Sequence, residues 1–187
     1  MYEVIWHGRG GQGVVIAAQI LAESAYLQGF KGVTSAPTFG PERRGAPLTA
    51  STRISDTPIR TFSQIEKADI AIVLDPSLFH VVDIMGSLKP KGWLIINTSQ
   101  KADEIDNPNG LAIATADAAA IALRFHLLKE GAPIVNTPML GVLSRAAGIV
   151  SIEHLEKGLK WKLSGGTAAT NIAALRAAYD ETSMIGK

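Results

Sequence analysis

Cysteine is missing from all 187 residues, and that absence excludes more than any single residue present implies. Iron–sulfur clusters are held chiefly by cysteine thiolates, and disulfides and thiol nucleophiles need the same residue. The chain is expected to hold no ordinary cluster, so the electrons of any redox reaction it serves must travel elsewhere. Histidine is scarce as well. His7, His80, His126 and His154 stand far apart, with no HExxH or comparable pair, and no metal ligand set is expected. No apolar run approaches the length of a membrane span; Ile70 to Leu74 and Leu94 to Ile96 have the length of buried strands. Met1 to Trp6 has the pattern of a strand entering a glycine loop rather than of a signal peptide, so a cytoplasmic address is expected. The net charge of +1 gives no support to a nucleic-acid groove. G-x-S-x-G does not occur, and no catalytic side chain is expected on this chain.

What is present suits one globular domain over residues 1–187, with 47% hydrophobic content and mixed charge. Tyr2 to Trp6 is a β-rich run, followed by a glycine loop and an amphipathic helix from about Gly13 to Gln28, with Gly29 as its C-cap. Gly32 to Ala36 is a second candidate strand. From Pro37 to Pro47, three prolines, two glycines and three charges predict an exposed, shaped loop. Leu48 to Ile54 alternates apolar and polar residues and predicts a half-buried, antiparallel strand. Asp69 to Leu74 and Trp93 to Asn97 are continuous apolar strands, with a helix expected between them from Ser77 to Leu88. After a strand at Leu111 to Thr115, Asp117 can cap a helix reaching about Glu130, and three more helices follow over 139–147, 151–161 and 167–179. The predicted class is α/β: a three-layer α/β/α sandwich around a Rossmann-like, mixed, mostly parallel sheet.

Two stretches carry chemistry. Gly8-Arg-Gly-Gly-Gln-Gly13 satisfies G-x-G-x-x-G between a strand and a helix, where glycines let backbone approach a phosphate and the helix N-terminus offers N–H groups. The alternative is a tight turn with no ligand. A simple NAD site lacks its ribose-binding acid, because Lys31 to Ala36 holds no carboxylate, and no Walker lysine supports nucleotide hydrolysis. Gly40-Pro-Glu-Arg-Arg-Gly45 places two guanidinium groups on a proline-held loop, and Glu42 could orient one of them. Such a loop can equally be a solvated or subunit-contact segment. Both stretches follow early strands and should lie close together. Asp75-Pro76 fits an ordinary turn and helix start better than a functional carboxylate. His7 beside the glycine loop could touch a ligand, although a strand-end histidine more often bonds backbone, and Trp6, Trp93 and Trp161 fit core or interface anchors better than stacking platforms.

Taken in order, HGRGGQGVV from His7, FGPERRGAP from Phe39, Ala68 to Leu74 and Asn136-Thr-Pro-Met-Leu-Gly141 resemble the gamma subunits of pyruvate-type 2-oxoacid:ferredoxin oxidoreductases over nearly the whole chain. The resemblance implies an enzyme that converts a 2-oxoacid and coenzyme A to acyl-CoA and carbon dioxide, reducing ferredoxin. It implies alpha, beta and ferredoxin-like delta partner subunits, with thiamine diphosphate and the iron–sulfur clusters held by those partners and no cofactor held by this chain alone. The ligand-facing residues it implies are Gly8, Arg9, Gly10, Gly11, Gln12 and Gly13 of the first loop, and Phe39, Gly40, Glu42, Arg43, Arg44 and Gly45 of the second. Two other readings remain: a structural interaction module, and a stand-alone NAD-dependent enzyme.

Overall fold

In the computed structural model, residues 1–37, 44–61, 63–107 and 109–186 are described. Strand β1 (Tyr2–Arg9) leads through the glycine loop into helix α1 (Val14–Gln28), and β2 (Gly32–Pro37) and β3 (Pro47–Ser55) follow. Next come β4 (Ala68–Val73), β5 (Leu88–Asn97), β6 (Ala112–Ala116), α2 (Ala118–Arg124) and a small hairpin of β7 (Leu128–Lys129) and β8 (Ala132–Pro133). Helices α3 (Asn136–Ala147), α4 (Ile152–Lys162) and α5 (Gly165–Asp180) precede the last strand, β9 (Ser183–Ile185). Seven strands form one sheet in the order β2-β3-β1-β4-β5-β6-β9. The run from β1 to β6 is parallel, whereas β3 is antiparallel to both β1 and β2, and β9 is antiparallel to β6. This is the mixed, mostly parallel α/β sheet that the alternation of apolar strands and helices predicted, with Leu48 to Ile54 antiparallel as expected.

Side-chain alternation divides the strands between two cores. Val4, Trp6, Ile54, Ile70, Ile72, Trp93 and Ile95 face one side, where they pack with residues of all five α-helices, among them Leu21, Ile121, Met139, Leu155 and Leu175. Ile5, Ala71, Val73, Leu94, Ile96 and Ile113 face the other side. Their cover is thin: Leu78, Ile84 and Ala102 come from short 3-10 turns and the chain around them.

The helix expected over Ser77 to Leu88 is therefore a correction. Its place is taken by two 3-10 turns, Pro76–His80 and Met85–Ser87. Asp75 accepts from the Ser77 N–H (3.0 Å), and Asp83 accepts from the Gly86 N–H (2.8 Å). Such local side-chain bonds compete with the helical ladder, and Val81, Val82 and Gly86 add little helix preference against them. A second correction concerns α2, which ends at Arg124 instead of near Glu130. His126 has a φ of 54°, and the Leu127 N–H turns back to the Ala122 carbonyl (2.8 Å), so the chain leaves helical geometry and makes the hairpin. Of the tryptophans, Trp6 and Trp93 are core residues, and Trp161 is 70% exposed on the last turn of α4.

At the amino end of the parallel strands, where the antiparallel β3 has its carboxyl end, a network of ions crosses the face opposite the α-helices. Glu3 and Arg53 are direct cross-strand partners joined at 3.0 Å, and Lys89 bonds both Glu3 (3.1 Å) and Asp69 (3.0 Å).

Candidate functional site

The carboxyl end of β1 is a topological switch point: the chain leaves it for β2 on one side of the sheet, while β4 lies on the other. In open α/β sheets ligands bind at such crevices. The glycine loop occupies this position and leads into α1, whose N-cap, Gly13, makes no side-chain cap bond. The first helical hydrogen bond runs from the Ala17 N–H to the Gly13 carbonyl, and the N–H groups before it have no carbonyl within the helix.

Two glycines are required by their surroundings. A Cβ on Gly8 would lie 2.5 Å from Val14 Cγ2. Gly13 has a φ of 77°, and a Cβ there would meet Asn136 Nδ2 at 2.4 Å. Asn136 Nδ2 donates to the Gly13 carbonyl (3.2 Å), so the start of α3 braces the start of α1. Gly11 also has a positive φ, 99°, but nothing lies within 4 Å of where its Cβ would be.

The second loop returns to the first. The Gly10 N–H donates to the Ala46 carbonyl (2.9 Å), and the Gly45 N–H donates to the Gly10 carbonyl (3.1 Å). Of the predicted set, Gly45 is thus brought against Gly10, with Arg44 next to it in the chain. Phe39, Gly40, Glu42 and Arg43 lie outside the described residues. Arg44 makes an exposed ion pair with Glu130 (2.5 Å) at the turn of the β7–β8 hairpin.

Arg9 and Gln12 point inward to the scaffold. The Arg9 guanidinium donates from Nε to Asp75 Oδ2 (2.9 Å), from Nη1 to the Gly45 carbonyl (3.0 Å) and from Nη2 to Ser77 Oγ (2.8 Å). Gln12 Oε1 accepts from the Arg9 N–H (2.7 Å). Asp75 accepts at Oδ1 from Ser77 N–H and Oγ–H, at 3.0 and 2.6 Å. Burial pushes the Asp75 carboxyl upward, but the bonds from Ser77 and Arg9 and the Arg9 charge outweigh it and hold it below its ordinary value.

His7 lies on β1 two residues before Arg9, on the same face of the sheet. It is 4% exposed, and neither ring nitrogen has a hydrogen-bond partner. Burial lowers its pKa from 6.5 to about 4, so the ring is neutral at pH 7. Among the described residues no group of three or more histidine or carboxylate side chains could hold a metal ion.

Sequence reasoning treated Asp75 as a turn residue. It does cap Ser77, and it also anchors Arg9, 66 positions away. Asn136 stood inside a noted motif without a role. No sequence signal ties it to Gly13 across 123 positions.

The family model for pyruvate ferredoxin/flavodoxin oxidoreductase matches residues 3–181. The chain belongs to that family. It is 47% identical to the pyruvate/ketoisovalerate oxidoreductases common subunit gamma of Pyrococcus furiosus, over 98% of both chains. It is 43% identical to the pyruvate synthase subunit PorC of Methanothermobacter thermautotrophicus, over 97% of this chain and 96% of that one. The crystal structure of the pyruvate oxidoreductase subunit PORC of Thermotoga maritima superposes with a TM-score of 0.83 at 34% identity, covering 99% of this chain and 98% of that one. The chain is a gamma-type subunit of a 2-oxoacid oxidoreductase, as the ordered motifs implied.

Proposed function

We propose that this gamma subunit forms one domain that contributes to coenzyme A binding and to assembly of a pyruvate-type 2-oxoacid:ferredoxin oxidoreductase in the cytoplasm. In that complex, alpha, beta and delta subunits supply the thiamine diphosphate site and the iron–sulfur clusters. The complete enzyme oxidatively decarboxylates the 2-oxoacid, forms acyl-CoA and passes electrons to ferredoxin. This chain alone is inactive.

The observation that carries the reading is the pairing of Gly10 with Gly45 and Ala46, which joins the glycine loop to the arginine loop. A helix N-terminus with an arginine-bearing segment joined to it suits a ligand rich in phosphate. The missing carboxylate over Lys31 to Ala36 disfavours a dinucleotide there and is no obstacle to coenzyme A. The Pyrococcus relative is named as a subunit common to pyruvate and ketoisovalerate enzymes. By analogy, this chain handles what such enzymes share, coenzyme A, and leaves the choice of 2-oxoacid to its partners.

The test is Arg43→Ala with Arg44→Ala in the reconstituted enzyme. Charge-assisted bonds are each worth about 1.5–3 kcal/mol, so the KM for coenzyme A should rise at least about tenfold while the KM for the 2-oxoacid holds. A lower yield of complex with unchanged coenzyme A kinetics would instead favour a purely structural interaction module.

A further inference from the structure

We infer that Asp75 is a positioning residue for the coenzyme A site: it anchors Arg9, and Arg9 in turn holds the Gly45 carbonyl and fixes the Arg44–Ala46 segment beside the glycine loop. The inference rests on the coenzyme A reading above and departs from it in the task given to Arg9.

Arg9 belongs by sequence to the ligand-facing set, yet three of its donor directions are spent inside the protein. The arrangement spans three neighbouring strand ends. Asp75 follows β4, Arg9 ends β1 and Gly45 precedes β3, so a single chain of bonds runs across the mouth of the crevice. Ser77 bonds both Asp75 and the guanidinium, which closes a ring of three side chains and removes the freedom of the arginine to swing out. Gln12 adds a link from the other direction, accepting from the Arg9 N–H at 2.7 Å and approaching Asp75 Oδ2 at 3.5 Å. Arg9 and Asp75 are 28% and 22% exposed, so solvent does not fully screen the pair. Without the carboxylate, the fork loses its anchor, the grip on the Gly45 carbonyl slackens, and the segment that carries Arg44 is held to Gly10 by its two main-chain bonds alone.

The test compares Asp75→Asn, Asp75→Glu, Arg9→Ala and the double variant Asp75→Asn/Arg9→Ala in the reconstituted enzyme. Asp75→Asn should raise the KM for coenzyme A by about three- to tenfold, a change larger than any in kcat or in the KM for the 2-oxoacid. Asp75→Glu should recover most of that loss. The double variant should be no worse than Arg9→Ala alone, because both substitutions cut one linkage. Should Asp75→Asn fail to assemble, Ser77→Ala removes one anchor and keeps both charges, with an expected rise of about twofold. The inference is overturned if the KM for coenzyme A is unmoved in Asp75→Asn, or in that fallback variant, while Arg43→Ala/Arg44→Ala raises it. It is also overturned if the double variant multiplies the two single effects, since Arg9 would then act on the ligand independently of Asp75. If the Arg43 and Arg44 substitutions also leave coenzyme A kinetics intact, the coenzyme A reading itself fails and takes this inference with it.

Discussion

The same face of the sheet carries an ion cluster at each end, and the two are built differently. At the amino end, Arg53, Glu3, Asp69 and Lys89 all project from strands, Glu3 and Arg53 as direct partners in the β1–β3 register. Burial lowers the Lys89 ammonium, but its bonds to Asp69 and Glu3 outweigh this and raise it above its ordinary value. At the carboxyl end, Arg9 is joined to residues of loops and turns, beside backbone donors that no side chain caps and a histidine whose nitrogens are unpartnered. Charge density therefore does not distinguish the two. The distinction is in what holds the ions: the amino end joins strand residues to one another, whereas the carboxyl end ties the strand residue Arg9 to turn and loop groups, Asp75, Ser77 and the Gly45 carbonyl.

Acid is the strongest way to separate the ends. Well above pH 6.5 the His7 ring is neutral in both the folded and the unfolded chain and adds no pH dependence. Below 6.5 the unfolded chain binds a proton that the folded chain refuses until about pH 4. Stability should therefore fall across that window, by up to about 3 kcal/mol. Chemical denaturation as a function of pH measures it, and His7→Gln should flatten the curve. An undiminished slope in that variant would assign the acid sensitivity to other groups.

Removing Arg53 probes the amino end. Arg53→Ala leaves Glu3 with Lys89 alone in a largely buried position, and the folded chain should lose about 2 kcal/mol in a thermal or denaturant melt. The KM for coenzyme A in the surviving complex should not move. If it rose alongside the loss of stability, the two ends would be coupled through β1 and the contrast between them would collapse.

The smallest expected effect lies at the rim. Arg44 is held by Glu130 in an exposed pair, which contributes under about 1 kcal/mol and, on the coenzyme A reading, would compete weakly with a phosphate. Glu130→Gln should release the arginine and lower the KM for coenzyme A by about twofold, the reverse of the Arg44→Ala effect. An increase would make Glu130 a support for the arginine and not its competitor.

The sheet was legible because its strands are apolar runs and its first helix is bounded by glycines, signals that act within a few residues. The antiparallel β3 was legible from the alternation of Leu48 to Ile54. The segment after Asp75 was expected as helix because it crosses between two apolar strands, while the deciding bonds of Asp75 and Asp83 depend on backbone geometry. The site divided in the same way. The glycine and arginine loops proposed for it are marked by composition, but Asp75, Ser77 and Asn136 make contacts that only the fold creates, Asp75 and Asn136 with partners 66 and 123 positions away. Strand β9 carried no signal of its own, since three residues acquire strand geometry only by pairing with β6.

The link between Gly10 and the Gly45–Ala46 segment has a consequence for how such a subunit changes over generations. Both of its bonds run from main chain to main chain. An exchange of side chains leaves main-chain bonds in place, and proline at 10 or 45 would remove a donor outright. A lineage can thus replace the charged groups around the crevice one at a time, and adapt them to a different ligand or neighbour, while the spacing of the two loops is inherited intact.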